Sequence, residues 1–165
     1  ARFYDKKFMQ YSPSTIQSHV LGGRKYVLHE ADNPFGYEKA EDVEFTVTGT
    51  DDKPQVITMK DEKSTIYLIV IKKDSHDEEL RLRDCEITVF RGDDEITRGV
   101  TDENGEILFE LVYDEGYSFR ETKAPQGYEP DDGKHEIVLP EDYTFNKEQP
   151  IVITITDKKI PEETT

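Results

Sequence analysis

The sequence has no tryptophan, two methionines and a single cysteine, Cys85. One cysteine cannot close an internal disulfide, and the apolar Leu82 and Ile87 near it suit a small buried hydrophobe better than a reactive thiol. Apolar residues are scarce as well, 34% of the chain against 35% charged. Over 165 residues this leaves one or two small domains with thin cores. Thin cores favour a covalent staple. No apolar run is long enough to span a bilayer and no secretory leader stands out, which is compatible with a piece cut from a longer secreted protein. Basic residues are outnumbered, 21 Lys and Arg to 37 Asp and Glu, for a net charge of −16. Residues 1–64 hold 9 against 11, a net of −2, so residues 65–165 hold 12 against 26, a net of −14. Such a surface repels nucleic acid and anionic membrane, and neither is an expected partner. The histidines His19, His29, His76 and His135 are scattered, with no nucleophile or metal-ligand pattern around them, so no turnover enzyme, metal or cofactor is expected.

What the chain does have is alternation with period two. Ile66, Leu68, Val70 and Lys72 share one face of a strand, with Tyr67, Ile69, Ile71 and Lys73 on the other. After that strand, 65–73, others are predicted at 86–91, 95–100, 106–111, 117–122, 135–139 and 150–157. The turns between them are rich in Gly and Asp, as in Arg91-Gly92-Asp93-Asp94, Glu103-Asn104-Gly105 and Asp131-Asp132-Gly133. No segment sustains a helical period. Short strands joined by polar turns at regular spacing predict an all-β sandwich.

The pattern occurs twice. Tyr26-Val27-Leu28-His29-Glu30 leads to the turn Pro34-Phe35-Gly36-Tyr37, and Tyr117-Ser118-Phe119-Arg120-Glu121 leads to Pro125-Gln126-Gly127-Tyr128. Each copy closes on a strand ending in Asp, Ile57–Asp61 and Ile153–Asp157. The expected organisation is therefore two domains, 1–63 and 64–160, with a loose tail at 161–165. The copies are unequal. Aligned by register, Arg2-Phe3-Tyr4-Asp5 falls on Ile87–Arg91, and nothing in the first copy corresponds to strand 65–73. The first sandwich is thus expected to be incomplete at its N-terminus.

Three titratable residues of the second copy sit in phase with inward apolar neighbours. Lys72 follows Leu68 and Val70, Glu121 follows Tyr117 and Phe119, and Asp157 follows Ile153 and Ile155. One such residue is commonly a strand end reaching solvent. Three together, one basic and two acidic, predict a buried group, and buried charges must be paired or neutralised. An apolar site favours the neutral forms, a free amine and protonated acids. Lys72 then becomes a nucleophile, Asp157 an electrophile, and Glu121 a group able to move protons as water leaves. The strands supply the proximity. Such a reaction runs once per molecule.

Lys72-Lys73-Asp74, the Gly-Val-Thr-Asp-Glu-Asn-Gly of 99–105 and the run Tyr117–Tyr128 resemble the Cna B-type, or SpaA-like, domains of Gram-positive pilins and adhesins. The resemblance spans 65–160, and reaches 1–63 as the later part of a preceding domain. It implies tandem immunoglobulin-like (prealbumin-like) β-sandwiches. It also implies an isopeptide bond between Lys72 on the first strand and Asp157 on the last, assisted by Glu121. Many members use Asn as acceptor; with Asp, water leaves instead of ammonia. In the first copy Glu30 and Asp61 match the Glu and the acceptor, while Lys6 and Lys7 lie past the place of the missing strand. A neighbouring molecule, an upstream segment or a donor strand carrying a Lys would complete it. The sequence lacks a Tyr-Pro-Lys-type motif, and Ile160-Pro161-Glu162-Glu163-Thr164-Thr165 lacks the Leu-Pro-x-Thr-Gly anchor. The implied role is a stalk or spacer of a cell-wall adhesin or ancillary pilin, on the cell surface, with neighbouring domains as partners. The alternative is a module binding a host matrix protein through acidic loops at 91–95, 102–106 and 129–133. These loops lack EF-hand spacing.

Overall fold

The computed structural model describes residues 2–3, 22–49 and 52–162, with only the backbone of Arg2 and Phe3. Tyr4, Asp5, Lys6, Lys7 and His19 lie outside the described residues, as does the tail from 163 onward. The chain divides into two compact units, Ala1–Ser64 and Thr65–Thr165. Every regular element among the described residues is a strand.

In the first unit, β1 (Arg2–Phe3), β2 (Lys25–Leu28) and β3 (Val43–Thr46) form one sheet in that order. Tyr26 and Leu28 point inward and are buried, and Tyr26 packs against Phe45 at 6.2 Å between ring centres. β1 runs parallel to β2, with Arg2 opposite Val27. This corrects the register expected for Arg2 and Phe3, because Ile87–Arg91 runs antiparallel to its own neighbour. Alternation fixes which residues share a face and leaves strand direction open.

The second unit has eight strands in two sheets: β4 (Thr65–Asp74), β5 (Glu86–Arg91), β6 (Asp94–Val100), β7 (Glu106–Val112), β8 (Tyr117–Lys123), β9 (Tyr128–Glu129), β10 (His135–Glu136) and β11 (Ile151–Lys159). One sheet has the order β10-β8-β5-β6 and the other β7-β4-β11-β9. β4 is buried at every second residue, as its β-branched and aliphatic run dictates. Its two neighbours differ in direction. β7 is antiparallel, and β11 is parallel from Ile151 opposite Leu68 to Asp157 opposite Asp74. The first and last strands of the unit thus lie side by side. Between the sheets pack Ile66, Leu68, Val70, Ile87, Val89, Phe109, Leu111, Phe119 and Ile155.

The strand expected at 135–139 pairs only at His135 and Glu136. Ile137 adds one more backbone bond, to Tyr117 O at 2.9 Å, and Pro140 then has no N–H to offer the ladder. The two-residue β9 is too short to leave an alternation.

Candidate functional site

Lys72 stands near the end of β4, with backbone N donating to Gly105 O at 2.8 Å and O accepting from Leu82 N at 2.9 Å. Its backbone is therefore held on both sides by loops, and its side chain points into the sandwich with no exposure. β11 brings Asp157 alongside in the same sheet, and β8 brings Glu121 from the facing sheet. Lys72 Nζ donates to Asp157 Oδ1 at 2.5 Å and to Glu121 Oε2 at 2.6 Å. All three side chains are shut off from solvent. The three residues singled out by inward register are thus brought together.

Each carboxylate spends one oxygen on the ammonium. The other two, Glu121 Oε1 and Asp157 Oδ2, are buried without a hydrogen-bond partner. One ammonium cannot neutralise two ionised carboxylates in a dry pocket, so the group holds an additional proton. In line with this, burial and then the Glu121 carboxyl beside it push the Asp157 carboxyl up to about 7. The wall is completed by Cys85, fully buried, whose backbone N donates to Thr101 Oγ1 at 3.0 Å. Cys85 Sγ and carboxylate oxygens of Glu121 and Asp157 lie within 4.8 Å of one another. That trio has the donor types of a cation site, but the Lys72 ammonium already contacts both carboxylates. Burial, followed by the Glu121 charge, raises the Cys85 thiol above its ordinary range.

Asp74, two residues past Lys72 on the same face, is buried as well. Its Oδ1 accepts His76 N at 2.7 Å and Asp77 N at 3.1 Å, and its Oδ2 accepts Tyr128 Oη–H at 2.8 Å. The signal was present in the same alternation that picks out Lys72.

The Glu motif and its turn recur in the first unit, whereas 57–61, expected to be its closing strand, forms no strand. Glu30 is fully buried and its Oε2 accepts Ala40 N, ten residues on, at 2.5 Å. Glu121 Oε2 accepts Asp131 N, also ten residues on, at 3.3 Å. Tyr37 N bonds Pro34 O at 3.1 Å, as Tyr128 N bonds Pro125 O at 3.1 Å. Ser64 N reaches Gly36 O at 2.7 Å, as Ile160 N reaches Gly127 O at 2.9 Å. Gly36 and Gly127 share the left-handed conformation, with φ of 87° and 88°. Asp61, three residues before Ser64 as Asp157 is before Ile160, is half-buried.

In two of the three acidic loops an aspartate bonds its own turn. Asp102 Oδ1 accepts Asn104 N at 2.8 Å and Glu106 N at 3.0 Å. Asp131 Oδ1 accepts Gly133 N at 2.8 Å, and its Oδ2 lies 2.8 Å from His135 Nε2.

Residues 67–159 match the sequence profile of the SpaA prealbumin-like fold domain. Among solved structures, the Bacillus anthracis TIE protein is similar over 83% of this chain and 25% of its own, at 27% identity and a TM-score of 0.65. BcpA, the major pilin subunit of Bacillus cereus, is 25% identical over 56% of this chain and 28% of its own, with a TM-score of 0.47. The shaft pilin SpaA of Lactobacillus rhamnosus GG is 16% identical over 85% of this chain and 66% of its own, with a TM-score of 0.48. The chain therefore spans about a quarter of the two Bacillus proteins it resembles. No curated protein matches it.

Proposed function

Because the chain belongs to the family of SpaA prealbumin-like fold domains, we propose that its second unit is a stalk domain of a Gram-positive surface protein, locked by an amide between Lys72 Nζ and Asp157 Cγ. Such domains are structural and turn over no substrate. The observation that carries the reading is the contact of one buried ammonium with two buried carboxylates on the first, last and facing strands.

The chemistry balances within the three side chains. With Asp157 already a carboxylic acid, a proton passes from the Lys72 ammonium to Glu121, leaving a free amine beside that acid. Nζ attacks Cγ, and the new C–N bond forms as the C–O bond to the departing hydroxyl breaks. Glu121 gives its proton to that hydroxyl, which leaves as water, and takes up the one shed by nitrogen. Two buried charges become a neutral amide, which removes the cost of keeping them dry. Positioning by the strands replaces an external catalyst.

The first unit is read as the later part of a second domain of the same kind, with Glu30 and Asp61 in the places of Glu121 and Asp157. On this reading the chain sits outside the cell, between neighbouring domains of one surface protein.

Intact mass and a tryptic map of the full chain test it. The mass should fall short of the sequence by one water, with the Lys72 and Asp157 peptides joined, and Glu121→Ala should restore the full mass. Unmodified Lys72 and Asp157 in folded protein would overturn it. The same map decides the first unit. An Asp61 peptide joined to Lys6 or Lys7 marks an intrachain bond, and one joined to a second chain marks a donated strand.

A further inference from the structure

The motif that ends in Tyr128 gives its Glu121 to the reaction, but its tyrosine has no part in the bond. Yet Tyr128 is bonded to two of the strands that carry reacting groups and joined by a short turn to the third. Its backbone lies on β9, opposite Lys159 of β11, two residues past Asp157. The turn at Pro125–Tyr128, closed by Tyr128 N to Pro125 O at 3.1 Å, ties it to the end of β8 and so to Glu121. Its hydroxyl crosses to Asp74 Oδ2 at 2.8 Å, on β4 two residues past Lys72. Asp74 is the register partner of Asp157, and the next residue, Ser75, donates its N to Asp157 O at 2.8 Å.

We infer that Tyr128 is a positioning residue for cross-linking: its hydrogen bond to Asp74 closes a ring through β4, β8 and β11 and holds Lys72, Glu121 and Asp157 in reactive register. The inference rests on the Lys72–Asp157 bond proposed above. The latch suits its task chemically. The His76 amide first, and the Tyr128 hydroxyl after it, hold the Asp74 carboxyl below its ordinary range, so it remains a charged acceptor. Burial, then Asp74, pushes the phenol up to about 12, so it remains a donor. A hydroxyl donated to a carboxylate is among the stronger hydrogen bonds. Amide formation needs Nζ and Cγ in attack geometry, and a displacement of about 1 Å costs on the order of 100-fold in rate.

The test follows the full chain made by cell-free synthesis, sampled over time into denaturant and weighed for the loss of one water. Tyr128→Phe deletes only the hydroxyl and should slow that loss by roughly 10- to 100-fold. Asp74→Ala, which also loses the bonds from His76 N and Asp77 N, should slow it at least as much, and the double variant should be no slower than Asp74→Ala, because that variant already lacks the bond to Tyr128. The effect on folding alone is read in chains that cannot react: Lys72→Ala with and without Tyr128→Phe should melt within a few degrees of each other. Should Asp74→Ala not fold, Tyr128→Phe decides by itself. A Tyr128→Phe chain that cross-links at the wild-type rate, or whose delay is matched by a lower folded fraction in the Lys72→Ala background, overturns the inference. A wild-type chain that never loses water overturns the cross-link as well.

Discussion

At the scale of single residues, the site is a proton inventory. Lys72, Glu121 and Asp157 together hold one ammonium and one carboxyl proton while Asp157 keeps the hydrogen it binds up to about pH 7. That state has the same proton count as a free amine facing a carboxylic acid with Glu121 in support. Raising the pH through about 7 removes the shared proton, leaves two carboxylates around one ammonium, and turns Asp157 into a poor electrophile. The rate of water loss by newly made protein should therefore fall as pH rises from 6 through 8. A rate that climbs steadily over that range would mean that amine deprotonation alone is limiting. Cys85 gives a second expectation from the same surroundings. Its thiol is buried and raised above its ordinary range by burial and by Glu121, and the thiolate is the reactive form. The folded chain should stay unlabelled by a maleimide at neutral pH and take one label after denaturation.

At the scale of elements, the turn before β7 decides where Lys72 sits. Gly105 has φ of +69°, and a Cβ there would meet Lys72 O at 2.8 Å and Leu82 N at 2.9 Å, both backbone atoms. Lys72 O cannot move without moving β4. Gly105→Ala should cost about 1–3 kcal/mol for the left-handed conformation alone, seen as a lower melting temperature, and it should also slow cross-linking by displacing Lys72. A variant equal to wild type in both would show that the turn shifts freely. The same elements show what the sequence could and could not disclose. Lys72, Glu121 and Asp157 were legible because inward register is local, a matter of counting by twos from Leu68, Phe119 and Ile155. The repeat was legible because Pro-x-Gly-Tyr needs a left-handed Gly at one place in each copy. Asp74 obeys the same count, but at a strand's end a charge ordinarily escapes to water, so the count alone does not mark it as buried. The direction of β1, and the pairing of Tyr128 with Lys159, depend on contacts distant in sequence that no local period encodes. The Asp74–Tyr128 bond spans 54 residues and is of that kind.

At the scale of the whole molecule, the cross-link sets where force and entropy act. Lys72 and Asp157 lie 85 residues apart, and closing a loop of that length removes roughly 4–5 kcal/mol of chain entropy from the unfolded state, by analogy with a disulfide. For a domain near 100 residues, each 1 kcal/mol moves the melting temperature by about 4–8 °C. Glu121→Gln, which keeps the Lys72–Asp157 pair but lacks the acid, should therefore melt roughly 15 °C or more below wild type. Tension follows the same geometry. β4 and β11 are parallel neighbours, so a pull applied through Thr65 and Lys159 enters at the start of one strand and leaves from the end of the other. With the amide in place the load runs along β4 to Lys72, crosses to Asp157 and exits two residues later. Everything between the two positions is bypassed. In a pulling experiment on the full chain, Glu121→Gln should release a step of roughly 300 Å as the 85-residue loop extends at about 3.3–3.6 Å per residue. Wild type should lack that step at any force below covalent rupture, while any event from the first unit appears in both traces. A wild-type trace containing the step would mean that the first and last strands are joined by hydrogen bonds alone.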